Sequence, residues 1–424
     1  MNARWVQLSF CLSLFLSAAT FALGLKVPQK AIPLGIQPRF DSIGDKTGLV
    51  DRSAGKTVAW AGAWQKGNTQ WVYKFVLEGM NPDGTPDTSF GQSGIVDSCN
   101  TLGLDCNRDW HPLDVISDYE DGALYVLVDQ EIVRLKADGS LDASFANQGV
   151  LELASATNKV QAQGIYLFDD GSLLATLNLT SGWSSSLYDK KSGKLLAGDI
   201  DFGFPKGFTG NLDNRPVFEP GGFGAVAGGG EQICTLDMKA RKAVKCASHK
   251  NIVPGSEFNS SQPEILLLPD GNLLIAGASL TAPGMGQDQS GVHFIKVSRD
   301  LVPQTFGTNG ALFIAGYYPT GMDNVEKILV RGNEVLALVS KQFAGWSHPD
   351  DEPGFFPVLY EFDLSGKLVS GFGDSGLLIP RPTVTGMLKD VLPKVGGLWT
   401  LGNSYPAEPL VARRLVLSDY EGQK

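Results

Sequence analysis

Short apolar runs entered through glycine turns recur along the chain. They read AGKTVAWAG from Ala54, DGALYVLV from Asp121, DGSLLATL from Asp170, GGFGAVAG from Gly221, DGNLLIAG from Asp270, RGNEVLAL from Arg331 and GGLWTLG from Gly396. Their residues are aliphatic, β-branched or aromatic and alternate with a period of two, which predicts strands bounded by Gly turns and argues against helical repeats. A second pattern is interleaved with the first: NPDGTPDTSFGQSGIV from Asn81, ADGSLDASFANQGVL from Ala137, SRDLVPQTFGTNGALF from Ser298 and LSGKLVSGFGDSGLLI from Leu364. In each copy a strand enters an Asp-Gly, Ser-Gly or decayed turn, then a Phe, then a Gly that reopens an apolar run. This is a repeated β-hairpin, in which Gly supplies positive φ without a steric penalty. Phe90, Phe145, Phe306 and Phe372 are expected to wedge between neighbouring units.

The two patterns together define units of four strands, a to d. In the fifth unit they fall at 264–268, 272–276, 292–297 and 311–314. Seven glycine-turn runs predict an all-β, seven-bladed β-propeller of four-stranded antiparallel blades. The last unit supplies strands a to c, ending in VARRLVLSDYEG, and the chain stops before a fourth. PRFDSIGDKTGLV from Pro38 reads as a lone strand d. Pairing this N-terminal strand with the C-terminal blade would close the ring and remove exposed sheet edges. The expected organisation is a signal peptide at 1–24, a linker at 25–37 and one propeller domain at 38–424.

The leader changes the cellular setting. Arg4 precedes an apolar run from Val6 to Phe21, followed by small residues that suit cleavage after Ala22 or Gly24. That run is short and polar-interrupted for a membrane span, and no later segment is apolar enough to be one. Export from the cytoplasm is the expectation. Four cysteines then remain, an even number that suits an oxidising compartment. Cys234 and Cys246 flank one hairpin symmetrically, and Cys99 and Cys106 bracket the small loop CNTLGLDC, so pairings 99–106 and 234–246 are expected. A formal charge of -10 opposes nucleic-acid binding, which needs a basic face.

The DG-x-LLxAG strand combined with DGSLDASF and DGTPDTSFGQSGIV resembles the delta-60 repeat family of bacterial exported proteins. The resemblance implies a β-propeller and export in a bacterium, periplasmic or secreted, and it implies no common catalytic residue. It also implies a basic residue in strand c, matched by Lys74, Arg134, Lys296 and Arg414, with Tyr188 and Glu361 departing from the pattern. Such a residue suits an inter-blade partner better than a ligand contact.

Strand topology puts the a-to-b and c-to-d turns on one face and the longer b-to-c and d-to-a connections on the other. Binding is expected on the long-loop face. Its insertions carry Trp64, Trp110, Trp183, Tyr317, Tyr318 and Trp346, which with nearby Asp and Asn would suit a protein, peptide or glycan ligand. The bland alternative is that each ring packs its own loop against the rim. No catalytic residue and no metal ligand are assigned. No cofactor is expected, and the competing calcium loop of Asn81, Asp83 and Asp87 lacks a later acidic ligand. His348, Asp350, Asp351 and Glu352 read as a solvated acidic loop. The alternative function is a glycan hydrolase or lyase with carboxylates converging near the axis.

Overall fold

The computed structural model describes residues 31–33, 42–66, 71–153, 161–179, 182–205, 208, 217–219, 222–228, 232–253, 263–279, 291–308, 310–315, 323–347, 353–373, 375–378, 386–394, 397–404 and 411–416. All its sheets are antiparallel and four-stranded. The expectation of seven like blades is corrected in how they are made. Six blades each consist of four consecutive strands, at 42–97, 112–152, 161–197, 217–248, 264–315 and 324–378. The remaining sheet is a composite of both chain ends: Gly386–Lys394, Gly397–Ser404, Val411–Val416 and, outermost, Ala31–Pro33.

The closing strand is therefore not the 38–50 stretch. Ser42–Asp51 is the innermost strand of the first blade and pairs with Thr57–Lys66. Ala31 lies opposite Arg413 and Pro33 opposite Val411, inside the segment expected to be a linker. The physical reason is locality: a hairpin through residues 52–56 closes at far less entropic cost than pairing across the chain. Pro33, which has no N–H to donate, is tolerated because this strand is an edge. Fifth-blade strands at Glu264–Leu267, Leu273–Ser279, Gly291–Val297 and Ala311–Ala315 follow the sequence pattern closely.

The core lies in the seams between sheets. Leu124, Val126 and Val133 of the second blade meet Val58, Trp60 and Phe75 of the first, while Tyr125 and Leu127 on the other side of the same sheet meet Ile165 and Leu173 of the third. Further clusters continue around the ring, and the last packs Trp399 and Leu401 of the composite sheet on Leu49, Ala59 and Ala61 of the first blade. Asp390 reinforces this closure: Oδ2 accepts from Leu49 N at 2.6 Å, and Oδ1 meets Lys327 of the sixth blade.

The Phe of the hairpin motif acts as expected. Phe90, Phe145, Phe306 and Phe372 are all buried. Each of the first three sits against the turn glycine of the following blade, at Gly139, Gly193 and Gly366 respectively. Backbone bonds join the same places, from Gly91 N to Asp138 O, Ala146 N to Ser192 O and Gly307 N to Ser365 O. The basic strand-c position is corrected in one blade. Gly79 N bonds Gly94 O as Arg134 N bonds Gly149 O, so Gly79, not Lys74, is the structural equivalent of Arg134. Phe90 fills the space above Gly79, and Arg52 from the preceding turn reaches Asp87, as Arg134 reaches the corresponding Asp142.

Candidate functional site

The first blade carries two alternating aromatic rows that climb out of its seam with the second. Trp60, Gly62 and Trp64 lie on one strand, and Trp71, Tyr73 and Phe75 on its neighbour, with Trp64 opposite Tyr73 and Lys66 opposite Trp71. Because side chains alternate across a strand, these residues share one side of the sheet. Phe75 and Tyr73 are buried, Trp64 is half-buried, and Trp71 is 52% exposed on the long-loop face. Gly62 leaves room for the neighbouring ring, since a Cβ there would stand 2.3 Å from the Tyr73 hydroxyl.

His111, entering the second blade, completes the group. Its imidazole stacks on Tyr73 at a centroid distance of 4.5 Å, and Trp64 meets Tyr73 edge-on at 4.7 Å. Asp129 holds the ring from the other side through Nδ1 at 3.2 Å. Asp129 itself sits at φ 41 in the turn between the second and third strands of that blade, and its backbone N donates to His111 O.

The Cys99–Cys106 loop forms the neighbouring wall. Asp97 caps its start by accepting from Cys99 N and Asn100 N, and the disulfide closes it with 5.0 Å between Cα atoms. Lys74 lies buried beneath the loop and donates to Cys106 O at 2.6 Å. Burial lowers its pKa, and Asp105, Asp109 and Asp97 oppose that shift. Asp109 Oδ1 accepts from Tyr73 N at 2.7 Å, which ties the loop to the aromatic row. Arg108 lies 4.5 Å over the Trp110 ring and bonds Glu131 Oε1 at 2.9 Å. The hydrogen bond to Glu131 raises its pKa further.

The sequence-derived candidates divide accordingly. Trp64 belongs to the aromatic group. Trp110 does not serve as an exposed platform: it is 4% exposed, and its Nε1 donates to Asp105 O, so it packs the disulfide loop onto the seam. Trp183 and Trp346 occupy described strands near their b-to-c ends, Gly182–Asp189 and Glu334–Ser347. Tyr317 and Tyr318, the 348–352 acidic loop and the 1–24 leader lie outside the described residues. Both disulfides form as expected, with Cys234 directly opposite Cys246.

Asp83 bonds Thr85, and Asp87 bonds Ser89, Arg52 and Lys56, so both act in turns and blade contacts. Among the described residues no His, Cys, Asp and Glu group has metal-binding geometry, and no helix is long and apolar enough to cross a membrane. Sequence reasoning missed Trp71, Tyr73 and His111. The alternations WAGAW and WVYKF carried the signal for the first two; His111 joins only through the blade packing.

Residues 127–145 match the family model described as a domain of unknown function (DUF5122) beta-propeller. They run from the second strand of the second blade to Phe145. No curated protein sequence matches the chain. Among solved structures, the WD40 domain from Toxoplasma gondii coronin is similar with a TM-score of 0.50 at 11% identity, covering 93% of this chain and 89% of that one. BamB from Moraxella catarrhalis has a TM-score of 0.45 at 12% identity, covering 88% and 86%. At these identities the likeness concerns the fold alone. The chain has a β-propeller fold.

Proposed function

We propose that this is an exported, non-catalytic propeller of the delta-60 repeat type that binds a partner on its long-loop face, centred on Trp64, Trp71, Tyr73 and His111. The observation that carries this reading is the exposed Trp71 ring at the end of a stacked aromatic row, beside a loop fixed by a disulfide and a buried lysine. A preorganised surface loses little conformational freedom on binding, and large aromatic rings are the usual anchors of an interface. Two disulfides support an oxidising compartment, hence export.

The test is partner capture from envelope extracts and on a glycan array with the oxidised protein. Trp71→Ala should weaken capture about tenfold or more. Tyr119→Ala, at a 68%-exposed ring in a turn of the opposite face, should leave it unchanged. Equal behaviour of the two variants would move the site elsewhere.

A further inference from the structure

We infer that the seam between the first two blades takes a cationic side chain, arginine or lysine, from an extended segment of a partner polypeptide. This rests on the binding-face reading and adds the chemistry of the partner. The aromatic group ends in the exposed Trp71, and carboxylates surround it. Asp109 adjoins Tyr73, Asp129 adjoins His111, and Glu131 faces the exposed Glu152 across a strand pair. Arg108, Lys66 and the buried Lys74 are the basic groups nearby, against Asp97, Asp105, Asp109, Asp129, Glu131 and Glu152, so the seam keeps an acidic excess on a chain whose formal charge is already -10.

Glu131 contributes to that excess from inside the seam. It is 9% exposed, one oxygen is bonded to Arg108, and the other, Oε2, is buried with no hydrogen-bond partner among the described residues. That oxygen is itself buried, so its charge acts on the rim through space, as part of the acidic field, rather than by direct contact. The protein already makes the arrangement internally: Arg108 lies over Trp110 while bonding Glu131, and Arg52 lies 4.6 Å over Phe90 while bonding Asp87. A cation over Trp71 would gain from the ring face and the carboxylates together. A neutral sugar would gain from the ring alone, and an anionic one would be repelled.

The experiment is calorimetric titration of the oxidised protein with an Arg-Gly repeat peptide, its citrulline counterpart, a Glu-Gly peptide and a neutral oligosaccharide. The expected result is binding of the arginine peptide, at least tenfold weaker binding of the citrulline peptide, and weakening as salt rises. Trp71→Ala and Glu152→Gln should each reduce affinity, while Tyr119→Ala should not. Both substituted positions are exposed, and a retained circular dichroism spectrum excludes misfolding. Equal affinity for arginine and citrulline peptides, or no binding of either, overturns the inference. If the oligosaccharide binds instead and Trp71→Ala abolishes it, the cationic partner is refuted while the binding face stands. If Trp71→Ala also leaves capture from extracts intact, the binding face falls as well.

Discussion

Glu361 and Arg331 form the same inter-strand ion pair as Lys296 and Asp270, with the charges exchanged. The distances are 2.6 Å in both, and in each blade one partner lies in strand c and the other beside the first turn. Arg134 with Asp121 repeats the Lys296 polarity in the second blade. The apparent departure at Glu361 is therefore a paired substitution that keeps a buried strand-c charge neutralised. Glu361→Lys alone should cost about 2–4 kcal/mol, since it sets two cations together and removes the partner of a charge in the seam. Adding Arg331→Asp should recover at least half of that loss in a denaturant double-mutant cycle. Additive losses would mean that the pair does not hold the blade.

The Phe-to-glycine contact between blades gives a second test. Gly139 has φ +83, and a Cβ there would stand 2.9 Å from Phe90 Cε2 and 3.0 Å from Gly91 N. Gly171 has φ +87, and a Cβ there would meet no atom of the described residues within 4 Å. Gly171→Ala should therefore cost about 1–2 kcal/mol from backbone strain alone. Gly139→Ala should cost about 2–4 kcal/mol, because overpacking against Phe90 adds to the strain. Matched unfolding curves for the two variants would show that the wedge is not tightly packed.

These contacts explain what the sequence could reveal. Phe90 and Gly139, or Phe306 and Gly366, belong to one motif, so the residues that meet in neighbouring blades repeat together along the chain. Ala31–Pro33 has no such pattern: three residues on an outer edge need neither alternation nor a turn signal, and the longer 38–50 stretch looked more like a strand d. Lys74 was misaligned because a basic residue in strand c is common to several units, while the hydrogen-bond register that makes Gly79 the equivalent of Arg134 is not written in spacing. Trp110 lies in a loop, but its Nε1–Asp105 bond and Arg108 partner bury it. His111 reaches Tyr73 from another blade, a distance that no local reading gives.

The disulfide loop should behave as a unit with Lys74. In the chain-entropy picture a closed loop this short contributes about 2–3 kcal/mol. Lys74→Met would leave Cys106 O without its donor, at a cost of about 1–3 kcal/mol. Because both constraints hold the same segment, losses in Lys74→Met, in Cys99→Ser with Cys106→Ser, and in the triple variant should be non-additive. Hydrogen exchange should rise over residues 99–111 in each variant and stay unchanged in the fifth blade. Strict additivity, or protection lost uniformly around the ring, would contradict a local brace.

Acid stability should fall in two stages. His293 is buried and lies 4.6 Å from the Phe313 ring; burial, then nearby His249, lowers its pKa from 6.5 to about 4. The neutral imidazole is the folded-state form, so the unfolded chain binds the extra proton. The stability linked to it is complete above about pH 6.5 and is lost as pH falls from there toward 4. At pH 4.5 the loss from this group should be about 2.5 kcal/mol. Asp87 is held below its usual 3.8: burial works the other way, but Ser89 and Lys56 outweigh it. Asp270, with Lys296, and Asp363, with Ser365, are likewise depressed against the effect of burial. These carboxylates contribute stability above their unfolded values and lose it only at more acidic pH. His293→Phe keeps a ring beside Phe313 without a titrating group and should flatten urea-measured stability between pH 7 and 4.5, leaving the lower stage in place. Parallel pH profiles for the variant and the parent over that window would rule out His293 as the source of the first stage.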